Sequence, residues 1–108
     1  MKKGLIYNAG VIYQNKIGSP TQDLSIADIR YLRDTFSEVV KKAETIESDR
    51  QTIIKKEITE EEKIKEINVL FEEEYEVALT VDIERLEKAW IKISIPELTL
   101  LESINNEN

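Results

Sequence analysis

The side chains best able to do chemistry in this sequence are carboxylates. Its 108 residues carry 22 Asp and Glu but neither Cys nor His. Without those two residue types there is no disulfide, thiolate ligand or cysteine nucleophile. There is also no imidazole to bind a metal or to act as a base near neutrality. Any catalysis would fall to carboxylates, Lys, Tyr or Ser. Two acidic runs stand out, Glu60-Glu61-Glu62 with Glu66 and Glu72-Glu73-Glu74 with Glu76. Gathered on one face, such groups would hold a hard cation. Consecutive helical positions point in different directions, however, and no alternation of acids around a central Gly marks a calcium loop. Solvated faces and helix caps are their expected roles. Glu61 and Lys63 share the spacing at the end of some nuclease metal motifs, but those lie on strands and this pair begins a helix. Neither Gly4, Gly10 nor Gly18 precedes Lys-Ser or Lys-Thr, so no phosphate-cradling loop is formed. The expectation is a chain with no catalytic residues, cofactor or metal. A carboxylate-metal enzyme is the least favoured alternative.

An interaction surface is the better candidate. The positions Ile29, Leu32, Phe36, Val39, Ala43, Ile46, Arg50 and Ile53 follow one another at alternating gaps of three and four. That is a heptad seam with one polar member. Ile29, Leu32, Phe36, Val39, Ile46, Arg50 and Ile53 are therefore the candidate interaction residues, toward a second copy or another protein. Arg50 either sets register across an interface or snorkels outward from an exposed helix end. If Arg30, Arg33, Arg50 or Lys42 converge with a Tyr, the chain would instead be an oligomer trapping a nucleotide, and this is the alternative reading. Trp90, the single Trp, packs in the core or anchors an interface. Tyr7, Tyr13 and Tyr31 form an aromatic patch without the interleaved basic residues that base stacking needs.

These residues need elements to position them. Only 3 Gly and 2 Pro interrupt regular structure, so helix is the default. Leu5, Ile6, Ala9, Ile12 and Tyr13 predict a short helix within Gly4 to Lys16, ended by the loop Gly18-Ser19-Pro20. Ser25, with Asp28 three residues on, caps a helix running to about Lys56. Glu38 precedes Lys42 by four residues, the favourable order for an ion pair. Thr59 with Glu62 caps the next helix, whose Ile64, Ile67, Leu70 and Phe71 fold it back on the long one. The period then changes: Val77, Leu79 and Val81 alternate with polar or small residues, as do Ile91, Ile93 and Ile95. Two strands pairing antiparallel are predicted. Ser94 and Glu97 start a last helix, with Asn105 to Asn108 as a frayed tail. The expected fold is α+β and mainly helical, a single domain over residues 1–108. It has a long antiparallel helical hairpin, a small two-stranded antiparallel sheet and a short C-terminal helix.

Charge narrows the partners. Residues 1–56 hold 10 basic and 7 acidic side chains, residues 57–108 hold 5 and 15. The acidic half repels nucleic acid, and the basic excess of the first half is too diffuse to grip phosphates. A basic partner surface, or mimicry of a polyanion, fits better, and a solvated acidic face that keeps the chain soluble is the favoured expectation. No apolar stretch approaches the roughly 20 residues of a membrane span. Leu5-Ile6-Tyr7 is interrupted by Asn8 and Gly10 without a cleavage site, so no signal peptide is expected. The cytoplasm is the expected compartment.

One resemblance adds context. Asp49-Arg50, Ile53-Ile54-Lys55-Lys56, Glu66-Ile67-Asn68 with Leu70, Glu76-Val77, Val81-Asp82-Ile83 and Ile93-Ser94-Ile95-Pro96-Glu97-Leu98 occur in an order and composition that resembles a family of small uncharacterised proteins. These are encoded by phages and prophages of Gram-positive bacteria. The likeness covers roughly residues 29–104, and the link between the two middle helices is shorter here than in that family. It implies a phage setting and no catalytic residues. The leading expectation is a non-catalytic protein that works by protein–protein binding, as an inhibitor of a host or defence protein or as an assembly factor, with self-association through the Ile29–Ile53 seam.

Overall fold

The computed structural model describes residues 1–17, 24–88 and 91–106, and of Ile17 the backbone alone. The described elements are the helices α1 (Lys3–Ile12), α2 (Ile26–Ile54), α3 (Glu60–Glu72), α4 (Ile83–Lys88) and α5 (Ile95–Asn106). A π-helical turn, Tyr13–Ile17, continues α1. The loop expected at Gly18-Ser19-Pro20, and Trp90, lie outside the described residues.

The three capped starts follow from local chemistry. Ser25 Oγ accepts from the Asp28 backbone N–H, and Thr59 Oγ1 accepts from that of Glu62. At α5 the exchange is reciprocal. The Ser94 N–H donates to Glu97 Oε1 at 2.7 Å, and the Glu97 N–H donates back to Ser94 Oγ at 3.3 Å. Each satisfies backbone donors that a helix start otherwise leaves to water.

At 29 residues α2 is the frame. It is about 44 Å long at 1.5 Å per residue, which accounts for most of the 47 Å long axis of the molecule. The element lying along it is α1, antiparallel: Tyr7 faces Glu47, Gly10 meets Ala43, and Tyr13 stacks on Phe36 with ring centroids 5.3 Å apart. The crossing is close because both residues at its centre are small. A Cβ on Gly10 would stand 2.6 Å from that of Ala43. The hairpin expected between α2 and α3 is thus not the main packing of the seam. With 13 residues, α3 reaches only about 20 Å, so it serves the last turns of α2 and the start of α1. There Lys56 bonds Glu66, and Tyr7 packs on Phe71.

The expected α+β class is corrected by the absence of any two-stranded sheet among the described residues. Residues 75–82 form no regular element and turn tightly at Glu76, yet they alternate as a strand would: Val77, Leu79 and Val81 are buried while Glu76, Ala78 and Thr80 are exposed. The pairing groups go to helix side chains instead. The Val81 N–H donates to Asn105 Oδ1 at 2.8 Å, and the Val81 carbonyl accepts from Asn105 Nδ2 at 2.9 Å. The Asp82 N–H donates to the Tyr31 hydroxyl. The residues expected as the second strand form no strand either, although Ile91 and Ile93 are half-buried and Lys92 and Ser94 exposed. The Ile91 N–H returns to the Leu86 carbonyl, and Ile95 already opens α5, 82% exposed. A lone strand pair is marginal in water; a strap wedged between α2 and α5 buries the same apolar face. The core thus joins Ile6, Ala9 and Ile12 of α1, Leu32 to Ile46 of α2, the strap, Leu86, Leu101 and Ile104.

The N-terminus closes the fold. An isolated antiparallel bridge joins Lys2 to Glu74. Around it Lys2 Nζ meets Glu72, Lys3 Nζ meets Glu73, and the Met1 amine meets Glu74, at 2.7, 3.0 and 3.1 Å. The second acidic run is therefore occupied within the chain. Lys3 also lies over the Tyr75 ring.

Candidate functional site

The crossing of α1 and α2 leaves a notch beside it. Its floor is Gly10, Val11 and Ala43, and its polar rim is Tyr7 from α1 and Gln14 from the π-helical turn, with Glu44 and Glu47 from α2. The notch opens to solvent and has a volume of about 400 Å³. The helix repeat explains the gathering. Tyr7, Gly10, Val11 and Gln14 follow at three, one and three, and Ala43, Glu44 and Glu47 at one and three, so each set lies on one face. Small residues at the crossing give the notch its depth, since no side chain rises from Gly10 to fill it.

Glu47 is the organising group. Its carboxylate accepts from Gln51 Nε2 at 2.8 Å and from Arg50 Nη1 at 3.0 Å, and the Tyr7 hydroxyl is directed at it from the other helix. The Gln51 bond, then those of Tyr7 and Arg50, hold Glu47 below the usual carboxylate range against the opposing effect of burial. Tyr7 moves the other way: partial burial, then the adjacent Glu47 charge, push its phenol above its ordinary value. The notch thus presents the exposed Glu44 and the Arg50-paired Glu47 beside an apolar floor.

The expected interaction residues fall into three environments. Phe36, Val39 and Ile46 are fully buried and Leu32 nearly so, all within the chain's own core. Ile53 is partly buried against that core, and Ile29 remains 48% exposed. Arg50 is 31% exposed and turned to Glu47 one helical turn back. The cations of the nucleotide alternative are spread along α2. Arg33 pairs with Asp34, Lys42 lies over the Tyr75 ring rather than pairing with Glu38, and Arg50 pairs with Glu47, the carboxylate that the Tyr7 hydroxyl also faces. Arg30 and Arg50 are 20 residues apart, about 30 Å along the axis. The three tyrosines of the expected patch serve separate places, with Tyr7 on Phe71, Tyr13 on Phe36 and Tyr31 under Arg85. Among the described residues no three carboxylates come together as a metal site. Lys63, whose spacing from Glu61 matched a nuclease motif, pairs with Glu60.

Three residues escaped the sequence reading. Asn105, assigned to a frayed tail, clasps the strap. Glu44 and Glu47 lie off the heptad seam, one turn apart on α2, and only the position of α1 sets them beside a notch.

No family model, curated protein or solved structure matches the chain. Among the described residues no helix is long and apolar enough to cross a membrane.

Proposed function

We propose that the protein is a non-catalytic binding module that takes a protein partner at the α1–α2 notch. The observation carrying this reading is the geometry of the notch, where the exposed Glu44 and the Arg50-paired Glu47 stand beside the small and apolar residues Gly10, Val11 and Ala43. The acidic balance of the chain, formally −7, would speed encounter with a basic surface. The likeness to phage and prophage proteins supplies a setting, in which the module would restrain a host or defence protein or assist assembly.

The test is capture from a Gram-positive bacterial lysate with the whole protein as bait, comparing the native chain with Glu44→Lys. A partner held by the native chain and lost by the variant supports the reading. Turnover of a substrate by the purified protein, abolished by Glu47→Gln, overturns it.

A further inference from the structure

We draw no further inference here: the strongest candidate, the apolar groove of about 600 Å³ between α4 and the start of α5, lined by Ile83, Leu86, Ile91, Ile93 and Leu98, carries nothing because nothing in the structure shows what covers it.

Discussion

Gly10 is the residue on which the notch depends. Any side chain there must displace Ala43, and Gly10→Val should cost about 2 kcal/mol through overpacking, read as a lowered urea midpoint. Ala43→Gly in the same chain should recover part of the loss, because the two positions are directly coupled. Two independent sites would simply add. The sequence shows Gly10 only as a weak point in a helix; its use appears once a second helix is laid across it. Titration belongs to this scale too. Arg85 and then Ser25 hold Asp28 below its ordinary value, the Ser94 backbone N–H holds Glu97 there, and Gln51 holds Glu47. A carboxylate depressed on folding contributes fully above its unfolded pKa and loses that contribution as pH falls through the folded value. Stability should therefore be steady from about pH 5 to neutrality and decline below about pH 4.5. Tyr7, raised on folding, has the opposite sign: its contribution is full below pH 10 and lost as pH rises past its folded value. Denaturation midpoints across pH would check both limbs. A stability step between pH 6 and 7 would contradict them, since no histidine is present.

Among the elements, caps and strap carry separate predictions. Ser94→Ala breaks the reciprocal cap of α5 and should cost about 1 kcal/mol. Asn105→Ala leaves the Val81 N–H and carbonyl without their partners and should cost about 2 kcal/mol. It should also speed amide exchange at Val81 while leaving the middle of α2 protected. The contrast marks what was legible. The starts of α2, α3 and α5 are written in Ser25, Thr59 and Ser94, because a cap is decided within four residues. The alternation at Val77, Leu79 and Val81 truly reports one buried face. It is silent on what fills the edges, since pairing is settled by residues far away, here Asn105 and Tyr31. The seam likewise announces a buried stripe without naming its cover. That α1, rather than α3 or a second copy, lies along it depends on Gly10 meeting Ala43, more than thirty residues apart.

For the whole molecule, the seam that would have driven self-association is already closed by α1 and the strap, with Phe36, Val39 and Ile46 fully buried. Light scattering should return the monomer mass, 12.5 kDa, and a concentration-dependent dimer would show that the exposed apolar groups, Ile29 among them, have found each other. The charge that remains outward is unevenly used. Glu72, Glu73 and Glu74 are tied to the N-terminal amines, and Glu66 is tied to Lys56. Glu44 is an exposed carboxylate beside a formed depression. The most direct measurement compares partner capture by the native chain, Glu44→Lys and Glu61→Lys, two reversals at exposed sites that should each leave folding within about 0.5 kcal/mol. The account predicts that Glu44→Lys loses the partner and Glu61→Lys keeps it; equal loss in both would show diffuse acidity at work and contradict a docking site at the crossing of α1 and α2.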